Sequence, residues 1–565
     1  MRFWQDAHGV FMVLSSKLAK RVKTSAFFCR KTGWCYNESM IRVHQIKTSS
    51  RQREDIRAAL LQKLNMPEAD LIDFHLYRRS VDARGHHVTF SWTVDAKVHH
   101  EKKYLKHKDV VKKPNERFDF VPKGNIPLTN RPVVVGFGPA GMFAALVLSQ
   151  QGYRPVVIER GSSIKKRQAD VNRFWKEGVL DPESNVQFGE GGAGAFSDGK
   201  LTSRTKDPLL RKVLEELVHY GADPDILIDA YPHIGSDALA GIIERMRDDM
   251  IKMGATFLFD TKVEDVVTEE GALCALVANE KTIDCQACVL AIGHSAMDTV
   301  HALYEKGMRL ENKPFPIGVR IEHTQAFINE AMLGDFKDDP RLVPARYTLT
   351  EMTSNHKGVY TFCMCPGGYV IPSAAQPGQL VVNGMSYADR AGTNANSALL
   401  IQCDASDYGT NLFDGERFVE ALERKAYAMT ENYKVPVQLA SDYLRGQTSD
   451  HLEGVEPSYA LGYSFVDLNT LFPPQLNASL HEALEAFERK VPGFVSSGAV
   501  LSAIESRSNP TVRLVRDKET RMSSLSGVYP CGEGSGYAGG IVTSAIDGIK
   551  SAQALMDRFA KCEVK

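Results

Sequence analysis

No stretch of this 565-residue chain stays apolar for the roughly 18 residues that a membrane-spanning helix needs. Charge of one sign is also missing. Sixty-eight Lys and Arg face 69 Asp and Glu, a net charge of −1, so the chain is not built to coat nucleic acid or an anionic membrane. Cysteine is sparse, ten in all, which excludes a disulfide framework and points to a reducing, cytoplasmic setting. One pair, Cys285-Gln-Ala-Cys288, has redox or metal spacing. No second pair of zinc type accompanies it, and it runs straight into the apolar Val289-Leu-Ala-Ile292. Buried thiols are the expectation, with no metal site. No internal repeat is visible.

What is present is organised around Pro132 to Leu146. Val133 to Val135 read as a buried strand, Gly136-Phe-Gly138-Pro139-Ala140-Gly141 as a turn, and Met142 to Gln151 as a helix. This is G-x-G-x-x-G in the strand–turn–helix context that gives the motif its meaning. The first glycine permits the tight turn, the second admits a pyrophosphate, and the third lets the helix lie close to the strand. A second strand, Pro155 to Glu159, ends in an acid 23 residues after Gly136, where a carboxylate meets ribose hydroxyls. The pattern predicts a dinucleotide at a helix N-terminus.

Along the chain, residues 1–39 carry Lys17, Lys20, Arg21, Lys23, Arg30 and Lys31 against Asp6 and Glu38. The apolar run Val10 to Leu14 is shorter than a signal-peptide core. The expectation is a disordered extension before Met40, with a transit-like segment as the alternative. Residues 40–110 predict a small α+β domain of βαββ pattern, and 111–131 a proline-marked linker. Residues 132–300 hold the first part of a Rossmann-like domain. A second glycine cluster lies within it, Phe188 to Leu201, followed by helices at Leu209 to Tyr220 and Ser236 to Met253 and a three-stranded meander over 262–285. Residues 301–495 read as an inserted mixed α+β substrate domain, and 496–560 as the return, through Gly527 to Tyr529, Cys531-Gly532-Glu533 and a helix from Ile541 to Arg558. The fold class is therefore α/β: a Rossmann-like nucleotide domain, an inserted α+β domain and a small N-terminal domain.

Three elements stand in a telling order: Gly136-x-Gly138-x-x-Gly141 with Glu159, a strand ending Ala291-Ile292-Gly293, and Gly532-Glu533 before a glycine-rich helix start. This order resembles FAD flavoproteins of the glutathione-reductase superfamily. More narrowly it resembles the bacterial FAD-dependent dehydrogenases labelled "NAD(FAD)-utilizing dehydrogenase", over roughly residues 40–560. The resemblance implies FAD as cofactor. It implies that Gly136, Gly138, Pro139, Ala140 and Gly141 hold the pyrophosphate, Glu159 and Arg160 the adenosine end, and the Val263 backbone the adenine. Ala291 and Gly293 would border the cofactor. Gly191, Gly192, Gly194, Lys200 and Leu201 would approach the isoalloxazine. Gly532, Glu533, Gly539, Gly540 and Ile541 would serve the ribityl and pyrophosphate region. Superfamily members usually place Asp where Glu533 stands, which puts direct contact to ribitol in doubt.

Only one complete dinucleotide unit exists, so any NAD(P)H would bind transiently over the flavin. For catalysis the candidates are Lys200, as a cation near the ring, and His294, as a proton donor; His233 and Cys531 are further possibilities near the site. Arg507 and Arg513 suit an anion, or ion pairs with Glu505 or Asp517. The expected function is FAD-dependent oxidation or reduction of a small molecule by hydride transfer. The alternatives are a flavoprotein whose FAD is structural or redox-sensing and which docks a partner, and a flavin-dependent RNA-modifying enzyme kept open by the lysine-rich stretch 97–113. The oligomeric state is not legible.

Overall fold

The computed structural model describes residues 40–116, 118–203 and 205–563; the expected 1–39 extension lies outside the described residues. The chain forms two compact units. One holds the described residues through Tyr77 with Trp92–Pro114, the other Arg78–Ser91 with Asn115–Lys565.

Four strands, in the first unit but for residues 78–82 and 89–91, lie in the order Leu71–Asp82, Thr89–Val98, Ile41–Thr48, Val110–Lys112. The helix Arg53–Leu64 buries Ile56, Leu60 and Leu64, one face at a spacing of four. It stops at Asn65, whose left-handed backbone (φ 44°) returns its N–H to the last turn. The short fourth strand pairs with Ile41–Val43, so Val111 and Lys112 belong to this sheet and not to the expected linker. The later part of that linker is also held, because Ile126–Pro127 pairs with Phe559–Ala560.

The second unit is built on a parallel sheet ordered Val528–Pro530, Cys288–Leu290, Val133–Val135, Val156–Ile158, Thr256–Leu258. The three central triplets are nearly all apolar and buried, as strands covered on both faces must be. The helix Pro139–Gln150 is buried from Ala140 through Ser149. It lies against the strand because Gly141 has no side chain: a Cβ there would sit 1.9 Å from the Gly136 carbonyl oxygen. The meander Val263–Glu269, Ala272–Ala278, Lys281–Asp284 is antiparallel and leads back into Cys288–Leu290. Cys285 and Cys288 are buried there, and burial pushes the Cys285 thiol up to about 12.

The insertion is a seven-stranded sheet with Phe315–Thr324 at its middle, flanked by Asn394–Cys403 and Val500–Glu505. Val500–Glu505 pairs on both sides, the other partner being Val435–Leu439. The boundary expected at 495 therefore moves: this strand's ladder belongs to the insertion. The chain leaves and returns side by side, Leu310–Asn312 pairing with Val512–Leu514.

His323 sits in the central strand, fully buried, its Nε2–H donating to the Phe494 carbonyl at 2.7 Å. Burial pushes its pKa down from 6.5 to about 4. It stays neutral in the fold while the unfolded chain binds a proton below pH 6.5. Stability is therefore expected to fall by about 3 kcal/mol as pH drops through this window. Urea unfolding at stepped pH should show a shallower acid slope for His323→Gln than for the wild type. Equal slopes would mean that His323 does not set the acid sensitivity.

Candidate functional site

At the carboxyl ends of the parallel strands lies a cavity of about 400 Å³. Open α/β sheets bind ligands at this end. Val135, Ile158, Ala291 and Cys531 bring it the ends of four strands, and Phe362, Cys363, Asn383 and Glu505 form a wall from the inserted domain.

Two helices begin at its rim. Gly138 is the N-cap of Pro139–Gln150 and Gly540 the N-cap of Ile541–Arg558, and neither helix has a side chain capping its first turn. Both N-termini present backbone N–H groups and the positive end of a dipole to the same cavity. Space is kept there by backbone. A Cβ on Gly138 would meet only Gly192, at 3.6 Å, and Cβ atoms on Gly293, Gly539 and Gly540 would meet nothing within 4 Å. A diphosphate needs this combination of open backbone and unpaired donors.

Glu159 is 5 % exposed. Its Oε1 accepts from Gly161 N–H at 2.9 Å and Gly189 N–H at 3.0 Å, and its Oε2 from Phe137 N–H at 2.8 Å. Of the roughly four acceptor positions on a carboxylate, three are thus used to tie the turn to two neighbouring loops. Arg160 lines the cavity, but its charge is matched by Glu183 at 2.8 Å and Asp298 at 3.0 Å, and its guanidinium lies 3.8 Å from the Phe188 ring centre. It is a fixed wall.

The glycine loop owes its shape to Arg167. This fully buried guanidinium donates to the carbonyls of Asn185, Val186, Gly189, Glu190 and Gly192. Burial pushes its pKa down to about 10, so it remains charged at neutral pH. Glu190 pairs with Arg247 at 2.8 Å and accepts the Ile164 N–H at 2.6 Å. Asp547, in the last helix, accepts the Gly532 N–H at 2.8 Å and pairs with Arg516 and Arg521. These supports escape sequence reading because their partners lie on distant loops.

Val135, Gly136, Gly138, Pro139, Ala140, Glu159, Arg160, Gly192, Gly194, Lys200, Val263, Ala291, Gly293, His294, Gly532, Glu533, Gly539, Gly540 and Ile541 all line the cavity. Three expected site residues face elsewhere. Gly141 packs on Gly136, a Cβ on Gly191 would sit 2.5 Å from Ile243, and Leu201 is buried in the core. His233 does not reach the cavity either; its Nε2 lies 3.3 Å from the Ala388 carbonyl oxygen, and burial, then Arg390, lowers its pKa. Cys531 does line the cavity, yet burial pushes its thiol up to about 12. Arg507 is clamped by Glu423 at 2.6 and 2.7 Å, and Glu505 by Arg320 at 2.9 Å; the pairing of Arg507 with Glu505 does not occur. Arg513 lies beside the Tyr537 ring, outside the cavity lining.

Lys200 Nζ donates to the Met364 carbonyl and lies 3.8 Å from Cys363 Sγ and 4.0 Å from Asp198 Oδ2. His294 Nδ1 is 3.3 Å from Glu533 Oε1, and its Nε2 is buried with no hydrogen-bond partner among the described residues. This orphaned ring nitrogen on the cavity wall is a group left for a ligand to satisfy. With the two open helix starts, it fits a bound dinucleotide.

A family model described as "FAD-dependent protein, C-terminal domain-like" matches residues 314–508, and a domain of unknown function (DUF8436) matches 40–97. The chain is 42% identical over 507 residues to an uncharacterized protein of Clostridium beijerinckii, covering 88% of this chain and 95% of that one. Among solved structures, quinol fumarate reductase of E. coli aligns at 10% identity and TM-score 0.35, over 77% of this chain and 70% of that one. L-proline dehydrogenase of P. horikoshii aligns at 10% and 0.31, over 77% and 93%. Overlaps this loose carry nothing further for this chain. FAD is the cofactor, on the family match. Among the described residues no helix is long and apolar enough to cross a membrane.

Proposed function

This chain belongs to the family of the Clostridium beijerinckii protein, and on that premise we propose that it is an FAD-dependent oxidoreductase acting on a small molecule. The observation that carries the reading is the shared cavity onto which two uncapped helix starts open, closed on its far side by the inserted sheet. When bound, FAD supplies hydride transfer, and the protein supplies position and electrostatics.

The roles follow from placement. Gly136, Gly138, Pro139 and Ala140, with Gly540 and Ile541, hold the diphosphate. The one acceptor position left on Glu159 takes a ribose hydroxyl, and the Val263 backbone borders adenine. Glu533 and His294 act as a pair at the ribityl chain. Gly192, Gly194 and Lys200 border the ring, and Phe362 and Asn383 exclude water from its other side. The finer assignment, to dehydrogenases of the NAD(FAD)-utilizing kind working in the cytoplasm with a transient nicotinamide donor, belongs to the same proposal. Anaerobic mixing of the yellow protein with NADH, NADPH and simple substrate donors tests it. Bleaching by at least one donor is expected; bound FAD that no donor reduces would favour a structural or sensing role instead.

Lys200 gives a graded test. Negative charge gained near Lys200 on two-electron reduction is stabilised by its ammonium, by about 1–3 kcal/mol for a charge-assisted contact. Lys200→Met is therefore expected to lower the flavin midpoint potential by roughly 20–65 mV with FAD still bound. A spectroscopic redox titration reads the shift. An unchanged potential in a fully loaded variant would remove Lys200 from the ring.

A further inference from the structure

The inserted sheet carries a feature that the reading above leaves unused. The strand Gly358–Cys365 breaks register with its neighbour between Phe362 and Cys365. Within that bulge Cys363 holds a left-handed backbone, φ 45°, a conformation that costs a non-glycine residue energy. Bulges of this kind re-aim side chains, and here Cys363 comes to the cavity wall, partly exposed.

Its surroundings are specific. Lys200 Nζ lies 3.8 Å from its sulfur. The Cys365 thiol donates to the Cys363 carbonyl at 3.2 Å. Arg320 Nη2 donates to that same carbonyl at 3.0 Å and lies 3.9 Å from Cys365 Sγ. Two carboxylates stand nearby. Glu505 is neutralised by Arg320. Asp198 is paired through Oδ2 with Arg390 at 2.9 Å, while its Oδ1 is buried on the same wall with no partner among the described residues. The Cys365 thiol, then Lys200 and Arg320, hold the Cys363 thiol below its ordinary range, and burial, then Asp198, oppose them. Cys365 is held above its own. The cation beside one sulfur and the carbonyl that holds the other push the two thiols in opposite directions, the division of labour that thiol–disulfide exchange uses.

We propose that Cys363 and Cys365 form a redox-active dithiol on the cavity wall, with Cys363 attacking and Cys365 resolving, so that the site's substrate is a small-molecule disulfide. The Cys363 thiolate attacks one sulfur of R–S–S–R. A Cys363–S–S–R bond forms and R–S⁻ leaves. Cys365 gives up its proton and attacks the Cys363 sulfur. The intramolecular disulfide forms, and the second R–S⁻ leaves with that proton as R–SH. The substrate gains two electrons and the dithiol loses two. Reopening the pair takes two electrons and one proton, restoring thiolate and thiol; this part rests on the reading above, in which reduced FAD held in the same cavity is the donor. Lys200 is a positioning residue here: it holds the thiolate without touching the substrate's sulfur.

The test uses the full-length, pre-reduced protein with its FAD, the difference between wild type and Cys363→Ser isolating this thiol from the other cysteines. Iodoacetamide labelling, mapped by peptide mass, is expected to modify Cys363 with a midpoint well below the roughly 8.5 of an ordinary thiol. Lys200→Met should raise the midpoint, slowing labelling about tenfold per unit of rise at pH values below both midpoints. An aromatic disulfide reagent should yield a Cys363–Cys365 disulfide in the wild type and a persistent mixed disulfide on Cys363 in Cys365→Ser. An FAD-loaded wild type whose Cys363 labels no faster than an ordinary thiol, or forms no bond to Cys365, would overturn the dithiol while leaving the flavoprotein reading intact. Protein that lacks FAD but shows both reactions would support the dithiol and sink that reading instead.

Discussion

Gly138→Val is expected to give a folded chain that no longer holds FAD. The backbone at Gly138 is extended (φ −77°, ψ −175°), so an L side chain is sterically allowed. A Cβ would stand at ordinary contact distance from Gly192, 3.6 Å from its Cα. The two branches of valine would then occupy the space at the start of the Pro139–Gln150 helix, where the diphosphate meets the N–H groups. Losing that approach should weaken binding at least ~100-fold, about 2.7 kcal/mol, with far-ultraviolet dichroism unchanged. The neighbouring position behaves differently. Gly192 has φ 62°, and a Cβ there would sit 2.8 Å from Gly138 Cα, so Gly192→Ala should disturb the loop itself. FAD retained at full stoichiometry in Gly138→Val would show that the cofactor does not lie at this helix start.

Glu159→Ala should cost both stability and cofactor. Its carboxylate accepts three buried backbone N–H groups, from Phe137, Gly161 and Gly189. Each orphaned donor costs about 1–3 kcal/mol. Partial rehydration through the hole left by the side chain makes the sum smaller than three full penalties, roughly 3–6 kcal/mol. Glu159→Gln should fall between alanine and wild type, since an amide oxygen keeps one side of the fork and its NH₂ opposes a donor on the other. Chemical denaturation of the second unit's transition measures this. A loss within about 0.5 kcal/mol, the range of a surface change, would mean that Glu159 is a ribose ligand and not a structural tie.

Glu159 also shows where reading a sequence stops. The strand, the glycine turn, the acid and the last helix were legible because each is local: Val133 to Val135 are uniformly apolar, and the pattern sets the last helix at Ile541–Arg558, where it is found. The acid's position was legible, but its three donors were not, since the Gly189 N–H comes from a loop whose carbonyls Arg167 holds. That arginine looks like any charged residue on the Ile164–Glu177 helix until its five carbonyl partners converge on it. The domain boundary failed for a related reason. Val500–Glu505 is mostly apolar and precedes the return to the nucleotide domain, and only its partners on both sides assign it to the inserted sheet. Lys200 was singled out from its glycine loop; its neighbour Cys363, 163 residues away, was not, because nothing local marks a bulge that turns a thiol toward it.

The most direct measurement is the FAD content of the purified full-length protein, from its visible spectrum and from the cofactor released on denaturation. About one FAD per chain is expected from the one complete dinucleotide unit. A colourless protein that takes up no FAD when it is supplied in excess would contradict the account at its centre.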